Sequence, residues 1–138
     1  MPTVRPRLVV DTNLWISFLL TRSRSKLERI ISDPSVSLLF SEELLEEFMT
    51  VALRPKFKKY FSDKDLEELL FSLHQKAEII HVRAKTTVCR DEKDNFILAL
   101  CADGKATHLV TGDGDLLSLK KFGRTKIVRL SELKVPLL

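Results

Sequence analysis

The feature that most restricts the fold is a recurring order: a short apolar run, then an acidic residue at its end or within the adjoining helix turns. Asp11 follows Leu8-Val9-Val10, Glu47 lies beyond Leu38-Leu39-Phe40, Asp94 beyond Val88, and Asp113 beyond Leu109-Val110-Thr111. Runs so short and apolar suit strands covered on both faces, the condition of a parallel sheet. Helical patterns separate them, so the expected class is α/β, and right-handed crossovers leave it few topologies. In such a sheet the four carboxylates converge on the carboxyl edge, where open α/β sheets bind ligands. Carboxylates packed together repel unless protons or cations neutralise them, and a divalent metal does so most simply.

The helical patterns carry their own punctuation. Asp11-Thr12-Asn13 opens a pattern of Leu14, Ile16, Phe18 and Leu19, and a second helix, Ser25 to Ser32, stops at Asp33-Pro34, since the residue before proline disfavours helix. A strand over Val36 to Phe40 follows. Ser41 then caps a helix whose Glu42 and Glu43 complement the macrodipole and which runs to Arg54-Pro55. Ser62-x-x-Asp65 caps the next helix, which ends near Gln75. Ile79 to Val82 is the expected third strand. Asp91 to Ala102 reads as a helix with Phe96, Ile97, Leu100 and Cys101 apolar, closed by Asp103-Gly104. His108 to Thr111 is the fourth strand and Lys126 to Arg129 the fifth. The helices from Ser41 to Lys76 exceed a simple crossover and predict a helical arm between the second and third strands, suited to dimer contacts or a substrate clamp.

A chain of 138 residues fits one domain, 1–138, and buries a core without staples. No apolar stretch approaches the ~20 residues of a membrane span, and Met1 to Arg7 lacks a signal peptide's apolar core, which predicts cytoplasmic residence and no membrane partner. Cys89 and Cys101 lack CxxC or His/Cys ligand spacing and read as two reduced thiols, Cys101 in the core. The net charge of +4 suits a polyanionic partner, and its distribution says more than its size. Basic residues cluster at Arg22, Arg24, Lys26 and Arg29, at Arg54, Lys56, Lys58 and Lys59, and at Lys120, Lys121, Arg124 and Lys126. The middle cluster interleaves Phe57, Tyr60 and Phe61, which fits single-stranded nucleic acid, whose phosphates take the charge and whose bases stack. The plain alternative is a solvated helix turn with its aromatics buried.

Helical projection sorts the acids. With Ser41 as cap, Leu44, Leu45, Phe48, Val51 and Ala52 form an apolar stripe, Glu47 lies on its edge, and Glu46 points nearly opposite. The choice of Glu47 over Glu46 depends on that cap. Asp94 has Ile97, Leu98 and Cys101 one and two turns on, so it lies on the apolar side of its helix, while Asp91 caps the helix start. An unpaired buried carboxylate is costly or takes up a proton, which favours a ligand role for Asp94. Thr111-Gly112-Asp113-Gly114-Asp115 places two acids in a turn that glycines allow to bend, and Asn13 and Thr111 are placed to hold carboxylates or waters. Magnesium binds few protein carboxylates and keeps several waters, leaving room for a phosphate and an attacking water, with Glu47 as the carboxylate that orients the water or takes its proton. That chemistry suits phosphodiester hydrolysis.

The segments Val9-Val10-Asp11-Thr12-Asn13, Ser41 through Glu47, Cys89-Arg90-Asp91-Glu92-Lys93-Asp94-Asn95-Phe96 and Val110-Thr111-Gly112-Asp113-Gly114-Asp115-Leu116-Leu117 together resemble the PIN domain, in order and over nearly the full chain. The chain is most similar to stand-alone bacterial and archaeal PIN proteins of the toxin (VapC-like) kind from toxin-antitoxin pairs, and Leu53-Arg54-Pro55-Lys56-Phe57 is similar to a further stretch typical of that subgroup. The resemblance implies a three-layer sandwich, a parallel sheet of about five short strands between helices. It implies a ribonuclease dependent on Mg2+ or Mn2+, with the catalytic quartet Asp11, Glu47, Asp94 and Asp113, and with Asp115 joining Asp11, Asp94 and Asp113 around the metal. It also implies a homodimer and a small antitoxin protein that covers the acidic groove. Gly114 departs from relatives, which usually carry a larger, often basic residue there, and this bears only on local substrate contacts.

Two other folds that gather acids at strand ends fit less well. A phosphoacceptor receiver needs paired acids after its first strand, and Asp11 has no acidic neighbour; a haloacid-dehalogenase-like phosphatase needs Asp-x-Asp, and the third residue here is Asn13. The remaining rival is a PIN-like fold kept as a catalytically idle RNA-binding or partner-binding module.

Overall fold

The computed structural model describes residues 5–21 and 26–133. Arg22, Arg24 and Ser25, part of the first basic cluster and the expected start of the second helix, lie outside the described residues. The elements follow in the order β1 (Arg7–Val10), α1 (Thr12–Thr21), α2 (Lys26–Ser32), β2 (Ser37–Phe40), α3 (Glu42–Ala52), a 3-10 turn (Pro55–Phe57), α4 (Asp63–Lys76), β3 (Ala77–Ile79), α5 (Glu92–Gly104), β4 (His108–Val110), α6 (Gly114–Leu117), β5 (Lys121–Phe122), β6 (Thr125–Val128) and a last 3-10 turn (Leu130–Glu132). The sheet order is β3-β2-β1-β4-β6-β5, every neighbouring pair parallel except β5 with β6. The fold is therefore the expected α/β architecture, a central mostly parallel sheet flanked by helices.

The apolar runs are central strands because they are covered on both faces. Leu8, Val9, Leu109 and Val110 are fully buried, and Leu38, Leu39 and Phe40 nearly so. Register aligns Leu8 with Leu38 on one side and His108 on the other, and Val10 with Val110, so β1, β2 and β4 finish side by side. Caps behave as their side chains dictate: Ser41 Oγ accepts from Leu44 N at 3.0 Å, Ser62 and Asp65 form a reciprocal capping box, and Asp91 accepts from Lys93 N at 2.9 Å. The long insertion Ser41 to Lys76 is present as α3, a turn and α4, but it returns to the body. Phe48 and Ala52 of α3 and Leu66, Leu69 and Leu73 of α4 all join the core.

Four expectations shift. β3 starts at Ala77, directly after α4, and Ile79 is half exposed at the sheet edge, so the third strand precedes the expected Ile79 to Val82 segment. Pairing with β2 sets its place, since Phe40 is opposite Ile79. The sheet has six strands because Gly123, at φ +58°, turns Lys121–Phe122 back against Thr125 and Lys126, an edge hairpin too short and too polar for periodicity to reveal. Val88 belongs to no strand and is exposed in the connection to α5. Asp103-Gly104 does not close α5: Lys105, at φ 53°, does. Gly104 stays helical where a Cβ would lie 2.8 Å from Leu39 Cδ1, so its absent side chain permits close helix-to-sheet approach rather than a turn.

Candidate active site

Parallel strands that end together release their chains at one edge, and Asp11 leaves β1 there while Asp113 lies just beyond β4. Because α5 runs back from the far end of β3 to the start of β4, its first turn, with Asp91 and Asp94, stands over the same edge. Glu47 reaches it from the middle of α3. A cavity of about 820 Å³ opens there and is lined by Asp11, Asn13, Glu47, Asp91, Lys93, Asp94 and Asp113, with Glu43 of α3 and Arg54 just before the 3-10 turn. Glu46 is exposed on α3 and does not line it. The Ser41 cap that projection assumed is present, which is why Glu47 rather than Glu46 faces the cavity; Glu43, one turn before Glu47, lines it too and is not only a complement to the macrodipole.

Hydrogen bonds hold the acids in place. Thr111, fully buried, donates through Oγ1 to Asp11 Oδ2 at 2.8 Å and accepts from Asp113 N at 3.1 Å, tying the ends of β1 and β4 together. Thr12 Oγ1 donates to Glu47 Oε2 at 3.4 Å, and Lys93 Nζ lies 3.6 Å from Glu47 Oε1. Asp113 caps α6 by accepting from Asp115 N at 3.2 Å, and Arg90 reaches Asp115 Oδ2 at 3.3 Å. Asn95 binds the backbone of Cys89 in both directions, at 2.7 and 2.8 Å, and so fixes the Cys89 to Asp94 segment.

The electrostatics are those of crowded carboxylates. Burial, a hydrogen bond to Asp113, and the negative charges of Asp113, Asp91 and Asp11 push Asp94 up to about 7. Burial and then the charges of Asp94, Asp115, Asp113 and Asp91 also raise the Cys89 thiol, which keeps it protonated. Asp94, Asp113 and Asp115 can each bring one oxygen within 4.8 Å of the others. Oxygen donors at this spacing, with a proton where a cation could sit, fit a hard divalent ion such as Mg2+ or Mn2+. Asp11 is not one of those three and acts beside them through its charge on Asp94.

Asp11, Glu47, Asp94 and Asp113 are thus brought together, with Asp115 nearby and Thr111 hydrogen-bonded to Asp11. Asn13 lines the cavity but is exposed and holds no carboxylate among the described residues, because the adjacent Thr12 faces inward. The glycines of Thr111 to Asp115 are not demanded by a sharp bend: neither Gly112 nor Gly114 has a positive φ, and a Cβ at either would meet nothing within 4 Å. Asp91 caps α5 and also lines the cavity. Sequence reasoning gave no role to Thr12, Arg90, Lys93 or Asn95, whose one available signal was adjacency to the acids.

Comparison with known proteins bears on the fold and the family. VapBC2 from Rickettsia felis, solved bound to a DNA fragment from their promoter, contains a chain that superposes with a TM-score of 0.58 over 88% of this chain and 96% of that chain at 17% identity, a likeness of fold. An uncharacterized protein of Methanocaldococcus jannaschii is 30% identical over 139 residues, covering 99% of this chain and 89% of the relative. The PIN domain family matches residues 7–115, a span that runs from Asp11 through Asp115, and the chain belongs to that family.

Proposed function

We propose that this PIN domain, spanning 1–138, is a metal-dependent ribonuclease that hydrolyses RNA phosphodiester bonds as the toxin of a toxin-antitoxin pair. The observation that carries the reading is the gathering of Asp11, Glu47, Asp94 and Asp113 around one cavity, where burial, a hydrogen bond to Asp113 and the neighbouring negative charges together raise Asp94 to about 7. Asp11, Asp94, Asp113 and Asp115 are the residues that would hold Mg2+ or Mn2+, which when bound polarises a phosphate oxygen and supplies a nucleophilic water. Thr111 keeps the Asp11 carboxylate oriented, and Glu47, steadied by Thr12, is placed to take the proton of the attacking water at its carboxylate.

The substrate is single-stranded RNA. Arg54 lines the cavity, and beyond it Lys56 sits 5.1 Å over the Phe57 ring, Lys59 lies 5.6 Å from the half-exposed Tyr60 ring, and Phe61 is buried, so charge and one open aromatic face lead away from the acids. The likeness to VapBC2 supports a small antitoxin that covers the cavity, and the exposed Leu53 and Phe71 on the arm support a homodimer. No helix among the described residues is long and apolar enough to cross a membrane, and cytoplasmic residence is part of the proposal.

The test is cleavage of a single-stranded RNA by purified protein. It should proceed with Mg2+ or Mn2+, stop with chelator, and fall at least about 100-fold in Asp11→Asn and Asp94→Asn. Full activity in those variants would assign the cleavage to another site or protein. Salt-dependent retention of RNA without cleavage under any metal would establish the binding-module reading instead.

A further inference from the structure

Carboxylates outnumber cations at the mouth of the cavity, and the cations are unevenly placed. Lys93 pairs with Glu47 and Arg90 with Asp115, while Asp11, Asp94 and Asp113 have no lysine or arginine partner among the described residues. Lys93 has a held backbone and an exposed head. Its backbone N–H is held by Asp91, the reciprocal bonds of Asn95 with Cys89 brace the segment around it, and its side chain is 74% exposed while lining the cavity. The cavity's other cation, Arg54, lies beyond the end of α3, at the start of the 3-10 turn.

An RNA strand must bring phosphates up to carboxylates that repel them, and a cation at the acids is what such an approach requires. We propose that Lys93 is a phosphate-binding residue for the substrate strand: its ammonium exchanges the Glu47 carboxylate for a phosphate oxygen beside Asp94 when RNA enters. The exchange is cheap because an exposed ion pair contributes little. It also frees Glu47 when substrate arrives, so the resting pair links occupancy of the site to availability of the carboxylate. The inference rests on the ribonuclease reading above and adds a residue to it.

The experiment compares wild type, Lys93→Met, Lys93→Arg and a charge-matched control, Lys105→Met, at the opposite end of α5. Affinity for a single-stranded RNA is read across a salt series in chelator and in Ca2+, alongside Mn2+ titration and KM and kcat. Loss of one phosphate contact should weaken RNA binding about fivefold to tenfold and make the salt dependence shallower by about 0.7 in log-log slope. The loss should appear in KM more than in kcat, Lys93→Arg should restore it, Lys105→Met should match wild type, and Mn2+ affinity should not weaken. Unchanged RNA affinity and slope in Lys93→Met would overturn the proposal, and so would weaker Mn2+ binding with normal RNA binding, the signature of a lysine that only braces Glu47. If wild type cleaves RNA and Lys93→Met behaves like it, this inference alone falls; if wild type neither binds nor cleaves RNA, both readings fall.

Discussion

The two ends of helix α5 live under opposite conditions. At its start, Asp91 and Asp94 face Asp113 and Asp11, and Asp94 is driven up to about 7 by burial and neighbouring negative charge. At its finish, Gly104 packs without room for a methyl group beneath Leu39 and Ile80. Three of the last four carbonyls there have partners: Arg7 Nε donates to Gly104 O at 2.9 Å, Ala106 N to Cys101 O at 2.9 Å, and Lys105 N to Ala102 O at 3.3 Å. One end stores repulsion and the other is largely satisfied and tightly packed. The crowded start of the helix is carried by an anchored body, through Leu98, Leu100 and Cys101, which are fully buried.

Breaking the anchored end should give the largest change in stability. Leu100→Ala removes a fully buried side chain from the C-terminal half of α5 and should cost about 2–5 kcal/mol in urea denaturation, with little dependence on pH or metal. A cost near zero would show that the helix is not anchored there. The crowded end should respond with the opposite sign. Because the folded-state value for Asp94 is raised from 3.8 to about 7, its protonated form stabilises the metal-free protein below about pH 4, and that contribution is lost as pH rises through about 7. Thermal melts in chelator should therefore show Asp94→Asn more stable than wild type at pH 8 and the gap closing towards pH 4. Adding Mn2+ should reverse the order at pH 8, since only wild type gains from binding. A variant less stable than wild type in chelator at pH 8 would remove the claim of repulsion. The smallest effect belongs to the rim: Arg90→Gln should shift stability by only about 0.2–1 kcal/mol, because the Arg90 side chain is 87% exposed in its pair with Asp115.

Much of this was legible before any coordinates. Strands β1, β2 and β4 are uninterrupted apolar runs, and such runs have few homes outside a sheet covered on both faces. Ser41, Ser62 and Asp91 announced their helices because capping is local chemistry between a side chain and the next turn. The same cap decided Glu47 over Glu46. Less legible was whatever depended on a partner distant in sequence. The place of β3 is set by β2, the β5 edge strand exists only against β6, and Gly104 is explained by Leu39 and Ile80 rather than by a turn. Asn13 and Thr12 are equally polar neighbours, and only the direction of α1 relative to α3 makes Thr12 the one that meets Glu47.

The sequence by itself determined the alternation of strands and helices and the four acids that end up around one cavity, because apolar period, capping and chain direction are local properties that a parallel sheet converts into position. Tertiary structure decided which of those acids carry a cation: Lys93 on Glu47, Arg90 on Asp115, and none on Asp11, Asp94 or Asp113 among the described residues. Charge pairing falls off over a few ångströms, so it is settled only once segments more than twenty residues apart have been packed together.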